Sequence, residues 1–370
     1  MVTSKSYGKS SVFVLACVAL ATACIASVAN AQKAPLPPDG GLWNTLKGFE
    51  FEGKPTKVED ARKSVSGIAC PIRNGDRVCL FVFDEGVEAR FGVLRGKELL
   101  PESERIRLLD SGNELDAEGA ATDGSYFYVT GSHSNKRKSC ATNEISRHVI
   151  RFRVDPQTGR ALRDAQGKLS GYQDKVRLWE IMSRHDSLEA NVGKCLGTQP
   201  PENDPKMKGE RGVNIEGLAV KDGKLFFGFR GPAEKGAVPV LSVSADAFFN
   251  DGDVNLMSLR LAIGQGRGIR DLLAVKDGIL VLVGPDDDNR TTQPSYNLLL
   301  WDGKGASGTT VQPKLLAQLD LSKVSRRACD NVEIKPEAIA LLSESPLEYK
   351  VLVLSDGMCD GGALEFTIVR

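Results

Sequence analysis

The sequence predicts an all-β fold, a β-propeller built from four-stranded antiparallel blades. Three observations carry this expectation. A short motif of the form Glu-Gly-Leu-Ala recurs along the chain, each copy leads through a polar turn into a strongly apolar strand, and further short strands follow before the next copy. Self-similarity of this kind, with several strands per repeat, is what stacked propeller blades look like in a sequence.

The chain opens on a basic start (Lys5, Lys9), an apolar run from about Val12 to Val28, and Ala29-Asn30-Ala31. This is the layout of a secretory signal peptide with an A-x-A cleavage site, so residues 1–31 are set apart from the fold and 32–370 are read as one propeller domain. A lipoprotein site at Ala21-Thr22-Ala23-Cys24 is the rival, but it lacks the usual leucine three residues before the cysteine. The expected location is secreted or periplasmic. No later segment approaches the roughly 20 apolar residues of a membrane span.

The motif copies are Ser66-Gly67-Ile68-Ala69, Glu118-Gly119-Ala120-Ala121, Glu216-Gly217-Leu218-Ala219, Asp271-Leu272-Leu273-Ala274 and Glu337-Ala338-Ile339-Ala340. The third and fourth copies share the pentapeptide Ala-Val-Lys-Asp-Gly, at 219–223 and 274–278. The turns after the motifs are Asn74-Gly75-Asp76, Thr122-Asp123-Gly124, Lys221-Asp222-Gly223 and Lys276-Asp277-Gly278, a composition that favours tight hairpins. Second strands are expected at 78–83, 126–129, 225–229, 279–283 and 349–354, where β-branched and aromatic residues dominate. Third strands are expected at 89–94, 148–154, 238–243, 296–301 and 364–369. Fourth strands are expected at 105–109, 176–181, 255–261 and 313–319.

The last unit runs out of chain after its third strand. A candidate strand at Leu46–Gly53 would close the ring and remove an exposed sheet edge. The interval between the second and third motifs is nearly twice the others, which leaves a sixth blade open. Five blades with an irregular insert around 183–211 are preferred, because that stretch carries Gly193, Gly197, Pro200, Pro201 and Pro205.

Six cysteines remain after the leader. An exported chain predicts that they form disulfides, and proximity along the blades favours Cys70 with Cys79, Cys140 with Cys195, and Cys329 with Cys359. Charge is balanced at 48 basic and 48 acidic residues, which offers no global field for nucleic acid or an anionic membrane, and the chain is read as a monomer. The basic triplet Lys136-Arg137-Lys138 reads as a solvated loop.

In a propeller the start of each innermost strand shares a face with the loop joining second and third strands. Glu118, Glu216, Asp271 and Glu337 are therefore expected near one axis. Asp84-Glu85, Ser132-His133, Arg230, Asp286-Asp287-Asp288 and Asp356 are expected around them. Four carboxylates about one axis repel. A hard cation such as calcium, bound by Glu118, Glu216, Asp271 and Glu337, is one resolution. Pairing with Arg230, Arg270 and Lys335, with Asn214 adding hydrogen bonds, is a second, and a retained proton is a third. Asp286-Asp287-Asp288-Asn289 has the composition of a calcium loop without its spacing. His133 is the candidate general acid or base, working with Glu216. Arg230, Arg270 and Asn214 are the candidate contacts to an anionic ligand. A nucleophile elbow and a phosphate loop are both missing from the sequence.

Asp116-Ala117-Glu118-Gly119, Gly131-Ser132-His133-Ser134, Asn214-Ile215-Glu216-Gly217-Leu218-Ala219, Phe229-Arg230-Gly231-Pro232, Gly268-Ile269-Arg270-Asp271 and Lys335-Pro336-Glu337 resemble the bacterial family known as domain of unknown function 3616. That resemblance covers nearly all of the mature chain and implies no particular activity. More distantly, the repeat is similar to secreted propellers of the esterase-like phytase and lactonase type, some of which hold calcium on their axis. Arg270-Asp271 and Lys335-Pro336 depart from a purely acidic ligand set. Two functions follow as expectations: a binding protein that holds a small anionic ligand or a metal at an acidic axial pocket, or a calcium-assisted hydrolase of a small ester, lactone or phosphoester.

Overall fold

The computed structural model describes residues 1–5, 34–72, 76–110, 112, 114–288 and 295–370. The apolar run of the expected signal peptide, Asn74-Gly75 of the first expected turn and Asn289 lie outside the described residues. The fold occupies Ala34–Arg370, with helix α1 (Pro55–Arg62) ahead of the first sheet.

Five antiparallel sheets form in chain order. Blade 1 is β1 (Val65–Ala69), β2 (Arg77–Phe83), β3 (Glu88–Arg95) and β4 (Glu98–Arg107). Blade 2 is β5 (Ala117–Thr122), β6 (Tyr126–Gly131), β7 (Val149–Arg153) and β8 (Gln173–Lys175). Blade 3 is β9 (Asn214–Lys221), β10 (Lys224–Gly231), β11 (Ala237–Ser244) and β12 (Met257–Ala262). Blade 4 begins with β13 (Arg267–Val275), β14 (Gly278–Pro285) and β15 (Asn297–Trp301). The short β16 (Thr310–Val311) then crosses to pair in parallel with β12, and β17 (Lys314–Gln318) completes blade 4. Blade 5 is β18 (Lys335–Glu344), β19 (Glu348–Asp356) and β20 (Leu364–Val369). Each innermost strand packs against the next, and β18 returns to β1, so the array is a closed five-bladed propeller.

The core lies between blades, because each sheet is buried on both faces, as the near-continuous burial of β2 and β14 reflects. Phe127 of blade 2 stacks at 5.6 Å on Phe91 of blade 1, and Phe226 of blade 3 meets Trp301 of blade 4 edge-on at 5.7 Å. Each such ring contributes roughly 1.5–3 kcal/mol by leaving water.

Two expectations need correction. Residues 176–181 form a helix, α2 (Arg177–Ser183), and the fourth strand of blade 2 is β8 just before it. Leu178 and Met182, four residues apart, are the buried side chains of α2. That is helical spacing, and it wins over the apolar composition that reads as strand. Leu46–Gly53 forms no strand. Closure runs instead through the preceding segment, where the Asp39 and Trp43 amides donate to the Glu365 and Ala363 carbonyls of β20 and the Leu99 amide of β4 donates to the Asn44 carbonyl. The buried Asp360 carboxylate completes it, accepting from the Phe49 amide at 2.8 Å and pairing with Arg62 at 2.6 Å.

The three disulfides are Cys70–Cys79, Cys140–Cys195 and Cys329–Cys359. The second ties the insert to blade 2, as expected. The insert has no strand of its own and reaches blade 4, where the Thr198 amide donates to Asp288.

Candidate functional site

Every innermost strand carries a β-bulge near its start, and the bulge fixes which side chain reaches the axis. The extra residues are Ser66 in β1, Glu118 in β5, Glu216 in β9, Arg270 in β13 and Glu337 in β18. A bulge leaves one residue unpaired and re-aims its side chain. The residue after it packs sideways against the next blade: a Cβ on Gly119 would stand 2.7 Å from the Leu218 Cβ and 3.0 Å from its amide nitrogen.

The axial member of blade 4 is therefore Arg270, one residue before the Asp271 that the motif alignment selects. The shared pentapeptide explains the offset. In blade 3 its hairpin closes with Lys221 opposite Lys224, and Asp222 and Gly223 turn with φ of 50° and 72°. In blade 4 it closes with Val275 opposite Gly278, so the turn falls on Lys276-Asp277. One residue of slip sends the neighbouring side chain to the axis. Asp271 takes the sideways position. Its carboxylate accepts from the Leu272 amide at 2.7 Å and the Ile339 amide of β18 at 2.8 Å, and burial holds it well above the usual carboxylate range. It stitches two blades together and does not line the cavity.

That cavity, about 890 Å³, opens on the face where the innermost strands begin, and Glu118, Glu216, Arg270 and Glu337 line it. Its two sides differ in charge balance. On the side of blades 3 to 5, acids and bases are matched. Arg270, 1 % exposed, pairs with Glu216 at 2.9 Å and with Glu337. Arg230, itself a bulge residue of β10, pairs with Glu216 at 2.9 Å and Asp287 at 3.2 Å. Asn214 donates to Glu216 at 3.0 Å, and Arg137 from the insert side reaches Asp287 at 2.8 Å. Burial alone would raise Asp287, but Arg137 and Arg230 outweigh it and hold the carboxyl below its usual range. Burial would lower Arg230, and Glu216 and Asp287 reverse that.

On the side of blades 1 and 2 stand Asp84, at the end of β2, Asp116, just before β5, and Glu118. No ion pair reaches any of the three among the described residues. Asp84 is pushed well up by burial and then by Asp356 and Asp116, and its buried Oδ1 has no hydrogen-bond partner among the described residues. Glu118 is pushed well up by burial, then by Glu216, Asp116 and Asp84. Asp116 is raised by burial although the Ser132 hydroxyl donates to it. Asn135, buried, donates to the Cys140 carbonyl at 3.2 Å and the Gly193 carbonyl at 3.0 Å, which leaves its Oδ1 without a partner among the described residues. Nearby, Lys335 pairs with Asp356 at 3.0 Å.

Of the residues singled out in the sequence, Glu118, Asn214, Glu216, Arg230, Arg270 and Glu337 come together in the cavity. His133 does not. Its ring is fully buried behind the lining, both nitrogens lack partners among the described residues, and burial, then His148 and Arg147, lowers it to about 3. Asp116, Asn135 and Arg137 escaped the sequence reading as site residues. Asp116 stands two residues before the recurring acid, a spacing that puts both on one face of a strand. The basic triplet is a loop whose Lys136 and Lys138 are exposed, as expected, but it borders the cavity, and Arg137 is drawn into it by Asp287.

A five-bladed propeller with a charged axial cavity is the class that fold and site define. The model of the family described as protein of unknown function (DUF3616) matches residues 93–161 and 205–361, and the chain belongs to that family. No curated protein sequence matches it. Among solved structures it is similar to a GH43 β-1,3-galactosidase, at 8 % identity and a TM-score of 0.43, covering 91 % of this chain and 60 % of that one. It is also similar to a GH43 endo-arabinanase from Bacillus licheniformis, at 10 % identity and a TM-score of 0.35, covering 88 % of this chain and 96 % of that one. Likeness at this level says nothing of what this chain binds or catalyses.

Proposed function

We propose that this protein is a binding propeller whose axial cavity takes a cation on the side of blades 1 and 2. The single observation behind this reading is the imbalance within one cavity: among the described residues Asp84, Asp116 and Glu118 have no ion-pair partner, while Glu216, Asp287 and Glu337 are each ion-paired with arginine. Carboxyls raised by burial and by one another gain from any positive charge that arrives.

Calcium belongs to this reading, since carboxylates are the hard oxygen donors it takes. Among the described residues no three carboxylates of the cavity bring oxygens within 4.8 Å of one another, so water would supply much of its shell. The anionic-ligand reading has less support, because the charges of Arg230 and Arg270 are already paired with Glu216, Asp287 and Glu337. The hydrolase reading loses the proton carrier expected of it, with His133 buried outside the cavity. The three disulfides fit an oxidising compartment, and among the described residues no helix is long and apolar enough to cross a membrane.

Thermal melts of the mature chain with calcium, magnesium, spermidine or chelator test the cation reading. It predicts a melting temperature that rises with at least one cation. A melt unmoved by every cation contradicts it.

A further inference from the structure

Resting on the cation reading, we infer that the site is built for a small linear polyamine, a ligand whose positive donors are spread over several ångströms. Two features of the geometry point this way. First, the unpaired acceptors are dispersed. Asp84 comes from β2, Asp116 and Glu118 from the start of blade 2, and Asn135 from the segment after β6. Oxygens too far apart to surround one ion are also too far apart to share one ammonium, whose three donors diverge from a single nitrogen. A chain with two or three ammonium groups matches them, each group taking a different acid.

Second, this side offers acceptors in excess of donors. Asp84 Oδ1 and Asn135 Oδ1 are buried and without partners among the described residues, and the amide nitrogen of Asn135 is already committed to two carbonyls. Ammonium groups carry only donors. They would satisfy both oxygens without stranding a lone pair, and a buried acceptor left without a donor is costly. The molecule already uses this chemistry on itself. Arg137, in the basic triplet at the rim, crosses from blade 2 to reach Asp287 of blade 4, so one cation of the chain is seated in the matched half, while among the described residues no side chain makes an ion pair with Asp84, Asp116 or Glu118.

Calorimetry of the mature chain with spermidine, N-acetylspermidine, calcium chloride and a tetralysine peptide tests the assignment. Spermidine is expected to bind one to one and to weaken as salt rises. It should weaken roughly tenfold or more in Glu118→Gln and in Asp84→Asn, the loss of one charge-assisted hydrogen bond each. N-acetylspermidine, which lacks one charge, should weaken by a similar factor on the unaltered protein, and that arm holds even where a variant does not fold. Calcium binding without spermidine binding overturns the polyamine and leaves the cation reading standing. Tetralysine binding without spermidine binding moves the source to a peptide and likewise overturns it. Spermidine binding undiminished by either variant and by acetylation places the ligand elsewhere, and no binding by any of the four overturns both readings.

Discussion

The two sides of the axial cavity are made from equivalent positions of the same repeat, yet they solve opposite electrostatic problems. Around blades 3 to 5, the bulge residues Glu216, Arg270 and Glu337 alternate in sign and neutralise one another. Around blades 1 and 2 the corresponding residues are Ser66 and Glu118, and Ser66 donates to the Ala117 carbonyl instead of balancing the acid. One changed residue type in a five-fold repeat thus separates a self-contained ion-pair network from a set of acids held above their usual range. The difference teaches that a propeller can keep its architecture in one part of the ring and leave another part available for a ligand.

Removing the central base should have the largest effect. Arg270→Met leaves the buried Glu337 without its arginine and Glu216 with Arg230 alone, and uncompensated buried charge costs about 3–5 kcal/mol. Urea unfolding of the variant is expected to show a loss of that size. A loss under 1 kcal/mol would mean that the network contributes little to the fold.

Acid titration separates the halves by sign. Asp287 lies below its ordinary value in the folded state, so its stabilisation is present above that value and lost as pH falls through the lower folded one. Asp84 and Glu118 are raised, so their penalty is present above the folded values and is relieved as pH falls through them. His133 runs the other way from those two: with its folded value lowered from 6.5 to about 3, stability drops as pH falls between the two. One such group changes stability by at most about 1.4 kcal/mol per pH unit. His133→Leu should flatten the loss between pH 6.5 and 3 in urea titrations at stepped pH, and an unchanged profile would remove His133 from the account.

Glu118→Gln should stabilise the ligand-free protein by about 1 kcal/mol, the gain expected from relieving an unfavourable charge. Chemical unfolding at pH 7 reads it, and a destabilised variant would show that Glu118 has a partner the charge balance misses. The smallest effect belongs to Arg137→Gln. Its pair with Asp287 is half open to solvent, so the expected loss is about 0.5–1 kcal/mol, shrinking in high salt, and a salt-independent loss would point to packing instead of charge.

Much of this was legible in the sequence. Apolar strands, Asp-Gly turns and the recurring motif point to a propeller with five blades preferred over six, and the order of the six cysteines anticipates all three disulfides. Four of the five axial residues follow from aligning the motif. The fifth does not, because the alignment rests on the pentapeptide shared by 219–223 and 274–278, and identical residues close hairpins one residue apart. Turn register depends on what the following strand packs against. A Cβ on Gly278 would meet the Trp301 carbonyl oxygen at 2.1 Å, whereas Gly223 turns in open space. Helix α2 was hidden for a similar reason, since Leu178 and Met182 declare a helix only once it is known which side they bury. Arg137 and Asn135 were hidden because their partners, Asp287 of blade 4 and Gly193 of the insert, are distant in the chain.

The most direct measurement is the cation-induced thermal shift of the mature protein beside that of the double variant Asp84→Asn, Glu118→Gln. The unpaired half predicts that spermidine or a divalent ion raises the melting temperature of the natural chain and leaves the double variant, already stabilised, unmoved. An equal rise in both proteins would contradict the assignment of this half of the cavity as the cation site.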